Sequence, residues 1–285
     1  KSMEKSMKKL FSAKVFQSRV TSANTQKSEM WLGYFFGPCL VYMAYYAIAG
    51  TYLTQFYTDV LGIGGIVLTM MPVISKIIDA ITNIIMGRII DRTHTIQGKA
   101  RPWVLISGVF MAICGILLYT VPNWNSTVQI VWVVVSYNLF FAFAFTIYNM
   151  SHTLMVPLST RNTKQRDGLL TSAGTTMLPG MLVTIILPIL IRSIGVGAQA
   201  QGRWMMIMGL LSVLAIPATL VEYYFTKERV TEENMDENGE QKGEDVSFSK
   251  QLKACFTDRY WIMIMSFWTI FQIFNFLSTN SMLYY

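Results

Sequence analysis

Apolar residues in this sequence fill long unbroken runs instead of alternating or tracing a single helical stripe. Stretches without Asp, Glu, Lys or Arg cover Met30 to Thr58, Trp103 to Val121, Thr127 to Val156, Gly168 to Ile191, Trp204 to Val221 and Tyr260 to Tyr285. Val60 to Gly87 is as apolar apart from Lys76 and Asp79. A helix crossing a hydrocarbon core about 30 Å thick needs about 20 mostly apolar residues. Each run therefore predicts one transmembrane helix, seven along the chain.

The interruptions predict how these helices connect. Asp59 with Gly62, Gly64 and Gly65 marks a tight turn between the first two helices, and Pro122 to Ser126 marks another between the third and fourth. Glu232 to Asp245 is rich in Glu, Asn and Gly and reads as a flexible linker, because it has too little apolar surface to offset the entropy of ordering. Beyond it, Phe248, Leu252 and Phe256 recur every four residues beside Lys250 and Lys253. That pattern reads either as a short amphipathic segment at the inner membrane interface or as more linker.

Composition narrows the class further. With 53% hydrophobic and 14% charged residues, a soluble domain is excluded. Cys39, Cys114 and Cys255 have neither disulfide nor zinc spacing and read as packing residues. The net charge of +7 does not point to nucleic acid, since the basic residues flank apolar runs and form no stripe with interleaved aromatics. They orient the chain instead. With the N-terminus inside, only Arg192 and Arg203 of the 23 Lys and Arg fall outside, and Lys76 lies within a helix. The expected protein is a multi-pass plasma-membrane protein, and residues 1–29 form its cytoplasmic N-terminal tail.

Candidate chemistry centres on Asp79, an ionisable group deep in an apolar span and hence a functional candidate. Lys76, Asp79 and Asn83, at spacings of three and four, share one helix face. They form a candidate cation-coupling set, or Lys76 and Asp79 simply neutralise each other. Neutral polar residues supply a candidate solute wall: Thr146, Asn149, His152 and Thr153 on the fourth helix, Tyr42 and Tyr46 on the first, and Gln272 and Asn275 on the seventh. Aromatic, amide and hydroxyl groups suit a polyhydroxylated ring; they equally suit helix packing. The histidines are His94 and His152, without His-Glu-x-x-His or Gly-x-Ser-x-Gly, so neither an enzyme nor a cofactor is expected.

Three segments carry a family resemblance: Phe56-Tyr57-Thr58-Asp59-Val60-Leu61-Gly62, Ile78 to Gly87, and Asp91-Arg92-Thr93 followed by Gly98-Lys99-Ala100-Arg101-Pro102-Trp103. Together they resemble the glycoside-pentoside-hexuronide:cation symporters of the major facilitator superfamily. The resemblance implies an all-α membrane protein with a six-helix bundle (residues 30–226), a cytoplasmic linker (227–257) and a seventh helix (258–285) opening a truncated C-terminal bundle. The remaining C-terminal bundle, the bilayer and a small solute are then the partners. It further implies secondary active transport of a sugar or glycoside with sodium or a proton. The family's paired acids on the second helix match Asp79 and Asn83, so the second charge is lost, which weakens sodium ligation and keeps proton coupling and uncoupled transport open. The family's sugar-binding Asp matches Asn149, its nearby aromatic Thr153 and its fifth-helix Arg Gly174, while its first-helix acid has no charged counterpart. A non-sugar substrate such as a lysolipid, or a non-transporting scaffold, therefore stays open. Gly87, Asp91, Arg92, Lys99 and Arg101 match the family's cytoplasmic gate.

Overall fold

A computed structural model describes residues 12–191, 198–233 and 248–281. Among them the chain is helical apart from turns, without a strand, and it divides into two compact units, Lys1–Gln241 and Lys242–Tyr285. The first holds α1 (Glu29–Val60), α2 (Gly65–Asp91), α3 (Arg101–Tyr119), α4 (Ser126–Ser159), α5 in two pieces (Thr163–Thr175 and Met177–Ile191), α6 (Gln201–Tyr224) and the short α7 (Arg229–Glu233). The second holds α8 (Phe248–Thr257) and α9 (Arg259–Ser281). Helices α1 to α4 and α6 are long and apolar enough to cross a membrane. Helix is the natural outcome, since a backbone in lipid must satisfy its own hydrogen bonds. The linker predicted over Glu232 to Asp245 falls almost wholly outside the described residues.

Local sequence sets the helix limits. Gly62, at φ 66°, turns the chain between α1 and α2. Pro102 stands in the first turn of α3, and the side chain of Asn125 caps α4 by accepting from the Val128 amide at 3.0 Å. Gly50 interrupts α1 with an extended ψ of −160°. Tyr119 of α3 donates to the carbonyl of Ile48, just before that break, at 2.6 Å. The irregular backbone is thereby tied to a neighbouring helix. In α4, the turns over Leu139–Phe145 are wider than α-helical, and the Thr146 hydroxyl reaches back five residues to the Phe141 carbonyl at 3.3 Å.

Helix α3 lies against both α4 and α6. A β carbon on Gly108 would overlap the Thr219 hydroxyl, and one on Gly115 would overlap Ser212. Thr219 and Ser212 return their own protons to the carbonyls of Ala215 and Met208 at 2.9 and 2.7 Å. These small hydroxyl residues can therefore nest into the glycine notches with every polar group paired. Close approach through small residues is how helices associate where lipid tails cancel the hydrophobic drive.

Part of the N-terminal segment packs on the bundle. Ser18 donates to the Thr226 carbonyl at 2.8 Å, the Arg19 amide bonds the Tyr224 carbonyl at 3.0 Å, and the Arg19 guanidinium lies 5.3 Å over the Tyr224 ring. Tyr223 and Tyr224 donate to the carbonyls of Phe16 and Val15 at 2.7 and 2.8 Å. Residues 15–19 are thus strapped across the end of α6, because that helix finishes in two tyrosines whose hydroxyls need acceptors.

Gly108→Leu is expected to destabilise the protein by about 1–3 kcal/mol through overpacking. Gly202→Leu, at a position where a β carbon meets open space, should change it by under about 0.5 kcal/mol. Unfolding in detergent followed by tryptophan fluorescence compares the two.

Candidate functional site

Asp79 sits on the face of α2 that meets α4, and three predicted residues converge on it. The Thr146 hydroxyl donates to Asp79 Oδ1 at 2.7 Å. Asn83 donates its amide to the same oxygen at 3.1 Å and to the Asp79 carbonyl at 2.7 Å. Lys76 Nζ stands 3.7 Å from Oδ2, with its side chain 82% exposed against 28% for Asp79. One carboxylate oxygen is therefore held by fixed neutral donors, and the other faces a cation on a long side chain with freedom to leave. Asn83 presents NH to Asp79 here. A cation shared between the two side chains needs the amide turned to offer its oxygen.

Asn149 and Thr153 continue the face of α4 that begins at Thr146, and both are exposed on the bundle surface. Thr153 donates to the Asn149 carbonyl at 2.7 Å. Tyr46 is half-buried against Tyr45, and a β carbon on Gly180 of α5 would meet its ring. The side chains of Gln272 and Asn275, though on α9, lie outside the described residues.

Tyr42 and His152 are buried, unlike Asn149 and Thr153. Tyr42 is 3% exposed and packs edge-on against Phe145, Tyr148 and His152. His152 points away from Asp79, and its Nδ1 lies 2.7 Å from Glu222 Oε1 on α6. Residue 152 is six positions beyond Thr146, which at about 100° per residue puts it on a different face of α4.

The gate residues also separate. Lys99 and Asp91 form an ion pair at 3.5 Å, Arg92 is exposed, and Gly87 faces the methyl of Met150. Arg101, by contrast, is buried. It donates to the Tyr223 carbonyl at 2.8 Å and to Gln97 at 3.1 Å, with its guanidinium 4.4 Å above the Tyr223 ring. The aromatic face and an unused carbonyl near the end of α6 account for this placement.

Three buried acids escaped the reading of charge-free runs, which begins one residue after Glu29, ends at Val221 and places residue 228 in the linker. Glu29 and Arg229 form a buried bidentate pair at 2.9 and 3.1 Å. Glu228 accepts the backbone amides of Lys99, Ala100 and Arg101 at 2.9, 2.8 and 2.8 Å, at the N-terminus of α3. Gly98, at φ 109°, makes room, since a β carbon there would strike the Glu228 carboxylate. Glu222 completes the set. The detectable signal was an isolated acid or Lys–Glu–Arg triplet abutting an apolar run.

Long apolar helices packed through small residues, with an acid inside the bundle and charges locked at one end, define a multi-pass helical membrane protein. A family model described as MFS/sugar transport protein matches residues 33–285, and the chain belongs to that family. It is 28% identical over 226 residues to the isoprimeverose transporter of Lactiplantibacillus pentosus, covering 77% of this chain and 45% of that protein. It is 30% identical over 223 residues to YagG of Escherichia coli strain K12, provisionally named a glycoside/cation symporter, covering 75% of this chain and 45% of the relative. The uncharacterized symporter YnaJ of Bacillus subtilis strain 168 is 26% identical over 244 residues, covering 84% of this chain and 50% of the relative. The chain thus spans about half the length of these curated relatives. As a family of transporters, it also bears out the expectation that the chain is no enzyme.

Arg229→Met leaves Glu29 buried without its partner and is expected to cost about 3–5 kcal/mol, while the double variant Glu29→Gln with Arg229→Met should recover most of it. Lys99→Met, whose partner Asp91 is 65% exposed, should cost under about 1 kcal/mol. Urea unfolding of the detergent-solubilised protein measures all three.

Proposed function

We propose that the protein is a cation-coupled symporter of a small polar solute, a sugar or glycoside, and that it works by alternating access. The single observation that carries this reading is the Asp79 carboxylate, held between α2 and α4 by Thr146 and Asn83 with Lys76 as a removable counter-ion. The symporter names of its relatives point the same way. In this reading a proton or sodium ion displaces Lys76 from Oδ2, and the charge carried by α2 then passes from the lysine to the transported cation. Because Thr146 lies on α4 next to Asn149 and Thr153, cation arrival at Asp79 and solute contact on α4 are mechanically joined. Within the first unit the solute wall is Thr146, Asn149, Thr153 and Tyr46. Tyr42 and His152 support that wall from behind.

The same reading takes the N-terminus as cytoplasmic and the membrane as the plasma membrane, with α1 to α6 as one half of the transporter and α9 as the first helix of the other. Asp91 and Lys99 then form a cytoplasmic latch with Gly87 and Arg92, in which Arg101 acts by fixing α3 to α6.

The test is uptake into proteoliposomes containing the intact transporter under imposed sodium or proton gradients, with a panel of glycosides and lysolipids as solutes. Asp79→Asn is expected to reduce accumulation to passive equilibration while leaving solute exchange in place. Undiminished gradient-driven accumulation would overturn the coupling role, and accumulation of lysolipid alone would overturn the sugar assignment. Asn83→Asp should introduce or strengthen sodium dependence, because it adds an anionic oxygen one turn from Asp79.

A further inference from the structure

A second ionisable cluster lies inside the bundle, on the other side of α4. His152 Nδ1 is 2.7 Å from Glu222 Oε1, and the Tyr148 hydroxyl donates to Glu222 Oε2 at 2.9 Å. The Tyr148 ring stacks on the imidazole with centroids 5.5 Å apart and planes 12° from parallel, and Tyr42 closes the edge at 6.1 Å. The side chains of His152 and Glu222 are 8% and 0% exposed. We infer that His152 and Glu222 form a proton-binding site, distinct from Asp79, at which one proton is taken up and released between α4 and α6.

Charge balance supports the assignment. With a neutral imidazole, Nδ1–H and the Tyr148 hydroxyl both donate to a carboxylate, and the cluster carries one buried negative charge. Uptake of one proton from the aqueous phase makes it neutral overall, as imidazolium with carboxylate or imidazole with carboxylic acid. Tyr148 keeps its bond in either form. A buried site that is one proton short of neutrality is a proton acceptor by design of its surroundings. A metal is a poor alternative. Imidazole and carboxylate bridged by a tetrahedral zinc would stand about 3.3 Å apart at ordinary bond lengths, and among the described residues no cluster of three His, Cys, Asp or Glu exists to hold one.

Among the described residues, no other base is bonded to the side chains of the pair. From α1 the titratable neighbours are Tyr34, Cys39 and Tyr42. The turn before α3 and its first residue bring Arg101, committed to the Tyr223 carbonyl. Helix α2 offers Asp79, bonded to Thr146 on another face of α4, and α5 carries Lys164, Arg166 and Asp167 in its first turns. Toward α7, Glu29 is neutralised by Arg229, and Glu228 is bound to the α3 amides.

The protein contains two histidines, so [15N]histidine labelling with His94→Gln leaves a single imidazole to observe by solid-state NMR in bilayers of the intact transporter. The His152 nitrogens are expected to pass between neutral and protonated signatures as the sample is taken from alkaline to acid. Glu222→Gln, which removes the acceptor charge and keeps the shape, should suppress that change of signature. Tyr148→Phe, which removes only one hydroxyl, provides a mild second perturbation and should alter the profile in the same spectra. One unchanging signature across the range in the His94→Gln protein would overturn the proposal and leave a fixed structural hydrogen bond. Asp79→Asn should leave the His152 profile in place, so failure of the coupling role at Asp79 and failure of this site are read separately.

Discussion

The Glu228 carboxylate closing the N-terminus of α3 is the contact on which the charged end of the bundle depends. Three successive amides point into one carboxylate, with Thr231 donating to it as well at 2.7 Å. A helix start buried in a membrane protein has donors with no water to satisfy them, and an anion there answers both the unpaired N–H groups and the helix dipole. The next residue, Arg229, is tied to Glu29 on α1. Two adjacent residues just past α6 therefore fasten α3 and α1 at once, and Arg101 returns the contact by bonding the Tyr223 carbonyl. The strap of residues 15–19 lies over the same end.

This arrangement explains what could be read from the sequence and what could not. Helix positions were legible because the length of an apolar run is itself the physical requirement for crossing a membrane. The Asp79 set was legible because α-helical spacing alone places Lys76, Asp79 and Asn83 together, and Thr146 joined them from α4 as one of the polar residues expected there. Helix ends were not legible by the same rule. A search for charge-free runs ends each helix at its first charge, and Glu29, Glu222 and Glu228 lie just beyond those cuts. Their partners are 70 to 200 residues away in the sequence, so no local spacing announces them. Arg101 shows the same limit, since its motif gives no sign of the Tyr223 ring and carbonyl, 122 residues away, that hold it.

Burial of neutral polar residues divides along the same line. Tyr42 and His152 have the chemistry of a solute wall, yet each serves the interior, because rings with one polar atom can fill a core and still pair that atom. Asn149 and Thr153 have less apolar surface to hide and stay on the outer face of α4. Residue type alone could not separate the two groups; the face of α4 on which each lies does.

Helix α4 ends up held from two directions by acids on different partners. Thr146 binds Asp79 of α2, and His152 with Tyr148 binds Glu222 of α6. Thr146 and His152 are about 9 Å apart along the axis and roughly 120° apart around it, so neither contact can substitute for the other. Removal of the charge at one acid would act on one of these contacts and leave the other in place. The wide turns at Leu139–Phe145 immediately precede the first contact. Wide turns relax the fixed i→i−4 register. Two ionisable contacts on different faces of one helix, beside a segment of wide turns, thus set how α4 is held between α2 and α6.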